Sequence, residues 1–157
     1  MTPAFQIANF TDTTRIEELH NLVLAAFRDL SIDPPSSVLK ESVSDFLTRL
    51  RTETAIVAQA EGALVGAVFC AAKDDSLYVG RLAVRDDFRR RGAASALLQA
   101  ASAEARRRAL PRLTLSTRIA LASNVALFSK HGFVVVAEQS HPGFSYPTSY
   151  DMELRLG

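Results

Sequence analysis

The run from Leu77 to Leu98 constrains this chain more than any other: Leu77-Tyr-Val-Gly-Arg-Leu-Ala-Val84, then Arg85-Asp-Asp-Phe88, then Arg89-Arg-Arg-Gly-Ala-Ala94, then Ser95-Ala-Leu-Leu98. Ser76 to Val84 is rich in apolar residues and reads as a strand. Gly92 to Ala109 puts Leu97, Leu98, Ala101 and Ala105 on one helical face. A strand therefore enters a tight turn and passes directly into a helix. The first helical N–H groups at such a junction lack backbone acceptors. They point beyond the helix end, where the dipole favours an anion. Gly92 removes a Cβ where a ligand would approach the backbone, and Ala93, Ala94 and Ser95 keep the surface small. Arg89, Arg90 and Arg91 add guanidinium groups that pair with phosphate oxygens. Three arginines ahead of a helix N-terminus oppose the dipole unless an anion sits among them, so a solvated basic loop is the weaker account. The expected ligand is a pyrophosphate.

The remaining sequence supplies a frame for this junction. A length of 157 residues suggests one domain, residues 1–157, and 48% apolar residues suffice for a core. Phe5 to Phe10 reads as an opening strand. Thr11-Asp12 offers a cap for a helix carrying Ile16, Leu19, Leu22, Val23, Ala26 and Leu30 on one face. Ile32-Asp33-Pro34-Pro35 breaks that helix, and a second is expected from Ser36 to Leu50. Thr54 to Ala60 and Ala63 to Ala72 form a hairpin about Glu61-Gly62. After the central junction, Arg112 to Thr117 is a strand and Asn124 to Lys130 a short helix stopped at His131-Gly132. Phe133 to Glu138 is a strand, Ser140 to Pro147 a loop, and Tyr150 to Leu156 a closing strand. This order predicts an α+β (mixed α/β) fold. A mixed, mostly antiparallel sheet of about seven strands would be flanked by about four helices.

Several function classes are disfavoured. The net charge is +1, from 18 basic and 17 acidic residues, and gives no global attraction to nucleic acid or membrane. Arg106–Arg108 ends a predicted helix, where basic groups suit the dipole and face solvent. No apolar run approaches the roughly 20 residues of a membrane span. Met1 to Phe10 lacks the pattern of a secretory signal. Cys70 is the one cysteine and lies in an apolar run, so a buried thiol is expected rather than a nucleophile. These features point to the cytoplasm. Three histidines and no carboxylate cluster at ligand spacing give no expectation of a metal site. His20 is expected at the surface, and His131 at a helix end.

The pyrophosphate's class follows from motifs. Neither Gly-x-x-x-x-Gly-Lys-Ser/Thr nor Gly-x-Gly-x-x-Gly occurs, which leaves nucleoside triphosphate and dinucleotide folds unsupported. Arg89-x-x-Gly92-x-Ala94 instead resembles the Arg/Gln-x-x-Gly-x-Gly/Ala signature of the GNAT superfamily of acyl-CoA-dependent N-acyltransferases. Arg81 to Val84 and Ala96 to Leu98 resemble the flanks of that signature. Asn124-Val-Ala-Leu-Phe-Ser-Lys-His-Gly-Phe133 resembles the family's second landmark. The resemblance implies acetyl-CoA as cosubstrate, a small-molecule or peptide amine as acceptor, and by analogy a homodimer. It implies that backbone groups from Arg89 to Ser95 hold the pyrophosphate. Leu82, Ala83 and Val84 would line the pantetheine arm as an added strand, and Phe128 would lie near the cofactor. The spacing from Asn124 to Gly132-Phe133 is shorter than in many members, so Asn124 is either a cofactor contact or a plain helix cap.

The same resemblance implies direct attack of an amine on a thioester. That reaction needs an oxyanion donor and a proton for the leaving thiolate. Strand N–H groups between Leu82 and Val84 would be the donors. The family's general acid is often a tyrosine four residues before Gly-Phe, and here that residue is Phe128. Replacement candidates are His141 and Tyr146, in a loop where Phe144, Tyr146 and Tyr150 are otherwise packing groups. Tyr78 is a third. On a regular strand it shares a face with Gly80, Leu82 and Val84, and it lines either an acceptor pocket or the core. Asp29, Asp33 and Glu41 are too scattered to define an acidic acceptor site. The phenylalanine leaves one alternative open, a non-catalytic acyl-CoA-binding module.

Overall fold

The structure, a computed structural model, describes residues 4–157. Seven strands and four α-helices follow one another as β1 (Gln6–Asn9), α1 (Ile16–Arg28), α2 (Val43–Arg49), β2 (Thr54–Ala60), β3 (Ala63–Lys73), β4 (Ser76–Val84), α3 (Ala93–Arg107), β5 (Arg112–Arg118), α4 (Ala122–Lys130), β6 (Val134–Gln139) and β7 (Ser149–Arg155). The strands form one sheet in the order β1-β2-β3-β4-β5-β7-β6. Every neighbouring pair is antiparallel except β4–β5. The parallel pair arises because α3 is the crossover between its strands. The β2–β3 turn places Glu61 and Gly62 at φ 51° and 81°, the two positive values a tight hairpin of this twist demands.

Helices cover the two sheet faces unequally. On one face the predicted stripe of α3, Leu97, Leu98, Ala101 and Ala105, packs on Val65, Val68, Leu77, Val79, Leu113 and Met152. Gly66 lets this helix sit close, since a Cβ there would lie 3.1 Å from Leu97 Cδ1. On the other face Leu19 and Val23 of α1 and Phe46 of α2 pack on Val57, Ala67 and Phe69. That second core draws on β2, β3 and β4, and none of its described residues comes from β5, β6 or β7.

Four expectations are corrected. The helix expected from Ser36 to Leu50 is a 3-10 turn, Ser37–Lys40, followed by α2. Glu41 is extended at ψ 134° between them. A reciprocal capping box restarts the chain, with the Ser42 hydroxyl accepting from the Asp45 N–H and the Asp45 carboxylate from the Ser42 N–H. Asn124 is not a helix cap: α4 begins two residues earlier with Leu121 in that position, because Asn124 and Val125 already bond to the Leu121 carbonyl. His20 is half-buried rather than on the surface. Its Nε2 lies 2.7 Å from the Glu41 carbonyl and its ring meets Phe46 edge-on at 5.0 Å. Tyr78 does not share a face with Leu82 and Val84. Arg81, at φ 53°, forms a bulge in which Ala67 pairs with Ala83 but Phe69 with Gly80. The extra residue inverts the alternation beyond it. Leu82 and Val84 therefore meet the α3-side core, while Tyr78 lies over Gly80 on the α1 side.

Candidate active site

The β4–α3 turn is built as a cradle of donors. Gly92 is the helix N-cap at φ 87°, a left-handed conformation that side-chain-bearing residues resist. A Cβ placed on it would meet nothing within 4 Å, so the space above the turn is open. The first bond into the helix runs from the Ala96 N–H to the Gly92 carbonyl at 3.0 Å. The N–H groups of Arg90, Arg91, Gly92, Ala93, Ala94 and Ser95 have no acceptor among the described residues. The arginines beside them are exposed. Arg89 is 3.1 Å from Asp86, and the Arg91 guanidinium lies 5.0 Å over the Phe88 ring. The Ser95 hydroxyl is 2.9 Å from His131 Nε2, which ties the end of α4 to the first turn of α3.

Next to the cradle the sheet opens. Strands β4 and β5 pair only at Ser76↔Arg112, Leu77↔Leu113 and Tyr78↔Thr114, and then diverge. Beyond Tyr78 the β5-facing edge of β4 has no strand partner among the described residues. The Arg85 N–H bonds to the Val65 carbonyl on the β3 side at 2.8 Å. By alternation the Val84 and Leu82 N–H groups are directed into the gap. Ala83 turns its side chain into the α1-side core. A cleft of about 360 Å³ runs from this strand end to α1, lined by Val84, Arg85 and Arg89 on one side and Asn21, Leu22 and Ala25 on the other.

The acetyltransferase (GNAT) family model matches residues 16–133, most of the chain. This chain belongs to the GNAT family. As a member it is an acetyl-CoA-dependent N-acetyltransferase. Solved structures agree on the fold. The ribosomal-protein-S18-alanine N-acetyltransferase of Escherichia coli aligns with a TM-score of 0.78 at 17% identity, over 96% of this chain and 93% of that one. PaiA N-acetyltransferase of Thermoplasma acidophilum, solved in complex with coenzyme A, gives 0.80 at 14%, over 99% and 100%. YncA of Salmonella typhimurium, solved with its cofactor acetyl-CoA, gives 0.75 at 17%, over 98% and 95%. Identities this low establish the fold alone. A comparison with curated proteins finds no match.

Within this GNAT fold the expected groups separate. Phe128 is buried and packs edge-on against Phe133 at 5.9 Å, so its ring serves the core. Asn124 is half-buried in the first turn of α4. His141 is held in the β6–β7 loop, its backbone N–H and Nδ1 both on the Thr148 hydroxyl. Tyr146 is 59% exposed and stacks edge-on with Phe144. Tyr150 packs against the α3-side core. Tyr78 alone of the three acid candidates stands where β4 and β5 part. Burial pushes its phenol above the ordinary value of 10.0.

A clamp behind the opening has no signal in the local sequence. The Arg81 guanidinium grips Glu41 with both hydrogen bonds, 2.8 and 2.6 Å, and Arg49 joins the same carboxylate at 2.8 Å. Burial works to raise the Glu41 pKa, but the bonds and charges of Arg81 and Arg49 outweigh it and hold the carboxyl below its ordinary 4.5. The pair joins residues 40 apart, so only their meeting in the fold exposes it.

Proposed function

We propose that the protein transfers an acetyl group from acetyl-CoA to a primary amine, by direct attack within a ternary complex. The observation that carries this reading is the run of acceptor-free N–H groups from Arg90 to Ser95, set beside an unpaired strand edge. One element supplies donors for a pyrophosphate and the next supplies an edge for an amide-bearing arm. Arg89, Arg90 and Arg91 add charge, Asn124 flanks the cofactor from α4, and Phe128 closes the floor as a packing group. The open space over Gly92 fits a phosphate approaching the backbone.

Acetyl-CoA contributes an acyl thioester, an electrophile whose sulfur is a good leaving group. The chain must orient an amine and stabilise charge. The Leu82 N–H, directed into the gap, donates to the oxygen that becomes negative as the amine adds. Tyr78 supplies the proton taken up by the departing sulfur and is reprotonated by the proton that the amine nitrogen gives up on becoming an amide, so one proton passes from nitrogen to sulfur. A cytoplasmic homodimer fits this reading by analogy with the family.

The test is calorimetric titration of acetyl-CoA into the wild-type protein and into Gly92→Glu. The glutamate puts an anion into the donor cradle and should weaken binding by about 100-fold or more. A folded wild-type protein that does not bind acetyl-CoA overturns the proposal. The buried Phe128 favours a second reading, a module that binds acyl-CoA without turnover. Thiol release across an amine panel separates the two, since a non-catalytic module binds acetyl-CoA and releases none.

A further inference from the structure

Six arginines of this chain are half-buried: Arg15, Arg49, Arg81, Arg108, Arg112 and Arg118. The first five each pair with a carboxylate. Arg118 has neither a carboxylate at ion-pairing distance nor a hydrogen-bond partner among the described residues. A guanidinium drawn partly out of water without a counter-ion is costly. Burial pushes its pKa down, against a smaller pull from the charge of Asp33.

Its place in the sheet is informative. Leu113 and Leu115 of β5, with Tyr150, Met152 and Leu154 of β7, face the α3-side core. Alternation therefore puts Thr114, Ser116 and Arg118, with Ser149, Asp151 and Glu153, on the opposite face. The α1-side core does not extend over these strands. The rows there run Tyr78–Thr114–Glu153 where β4 and β5 part, then Ser116–Asp151, then Arg118–Ser149. Arg118 and Asp151 are thus diagonal neighbours, about 7–8 Å apart at the backbone. They do not pair: among the described residues the Asp151 carboxylate takes a bond only from Gln139 Nε2, at 3.1 Å. Two opposite charges stand fixed on rigid strands over a floor of Ser116 and Ser149. The negative one is nearer the opening between β4 and β5.

Resting on the acetyltransfer reading above, we propose that the acceptor is an amine that also carries a carboxylate, with Asp151 binding its ammonium end and Arg118 its carboxylate. A short carbon skeleton with both groups spans such a pair of charges. This orientation puts the amine toward the gap that admits the thioester and the carboxylate one row farther out. The bound anion supplies the counter-ion that Arg118 lacks.

The test uses the full chain, with acetyl-CoA affinity by calorimetry and acceptor turnover by thiol release. Acceptors are free amino acids, the matching amino-acid amides, and C-terminally amidated tripeptides with Asp or Glu at the second position. Wild-type protein should favour carboxylate-bearing acceptors over the amides by about 30-fold in kcat/KM. Arg118→Gln should raise KM for them by about that factor, while leaving turnover of the amides and the acetyl-CoA Kd unchanged. Arg118→Lys should recover part of the loss. Asp151→Asn should weaken acids and amides alike, since both carry the ammonium. A preference for free amino acids or for acidic tripeptides supports the proposal and identifies which molecule bears the carboxylate. Equal turnover of acids and amides, or an Arg118→Gln protein with weakened acetyl-CoA binding, overturns it. If the wild type fails to bind acetyl-CoA, the acetyltransfer reading falls and this one with it. Binding and turnover without a carboxylate preference overturn this one alone.

Discussion

Gly92 carries two duties that separate by substitution. Its φ of 87° asks for glycine whatever lies above it, so Gly92→Ala should cost about 1 kcal/mol of stability, measured by denaturant titration. A methyl group would intrude on the open space through which the phosphate is proposed to approach, so alanine should weaken acetyl-CoA binding modestly, by up to about 10-fold. Glutamate at the same position should weaken it by about 100-fold or more, and only the excess of that loss over the alanine loss assigns the turn to an anion. Tyr78 makes a sharper claim. If its phenol protonates the leaving sulfur, Tyr78→Phe should lower kcat by about 100-fold with little change in acceptor KM. A fall in KM affinity with kcat intact would make Tyr78 a lining residue. The turn and the start of α3 were legible in the sequence because Gly92, the arginines and the helix that follows are neighbours along the chain. The side of the sheet that Tyr78 occupies was not, because one bulged residue, Arg81, inverts the alternation on which such a reading depends.

Among the elements, β4 is held open on one edge and clamped on the other side. Arg81 ties its bulge to Glu41, on the connector that precedes α2. Glu41→Gln should cost about 2 kcal/mol near neutral pH, because it leaves two guanidinium groups without their shared carboxylate. The pH dependence has a definite sign. The folded carboxyl is held below its ordinary 4.5, so the ion pair's contribution is complete above that value and is lost as pH falls through the folded pKa. Stabilities of wild type and Glu41→Gln should therefore differ above pH 4.5 and converge below it, in denaturant titrations across the acid range. A constant difference would deny the clamp its charge. On the other edge of the strand pair, Gly66→Val should destabilise the fold by about 1–3 kcal/mol, as the new side chain meets Leu97 of α3. Helix α3 itself was readable from its apolar spacing. The division of the expected Ser36–Leu50 helix was not, because Glu41 leaves helical geometry in company with partners on distant elements.

Taken whole, the molecule is one sheet whose centre is thoroughly shielded. Cys70 lies there with no exposed surface, and burial first of all pushes its thiol up to about 12. Alkylation should consequently be negligible in the native state and fast in denaturant, and its rate should report opening of the sheet. Rapid labelling of native protein would contradict this packing. At this scale the sequence alone determined the order of strands and helices, the apolar stripes of α1 and α3, the hairpin at Glu61-Gly62 and the donor turn at Gly92. Each rests on periodicity or backbone preference among residues close in the chain, and such local effects need no knowledge of what packs where. Only the tertiary structure decided where β4 and β5 part, that Phe128 belongs to the core, that Arg81 meets Glu41, and that Arg118 and Asp151 stand diagonally on the face away from the α3-side core. Those facts depend on register, on a single bulge and on contacts between residues dozens of positions apart. The free energy of such contacts exists only once the sheet has assembled.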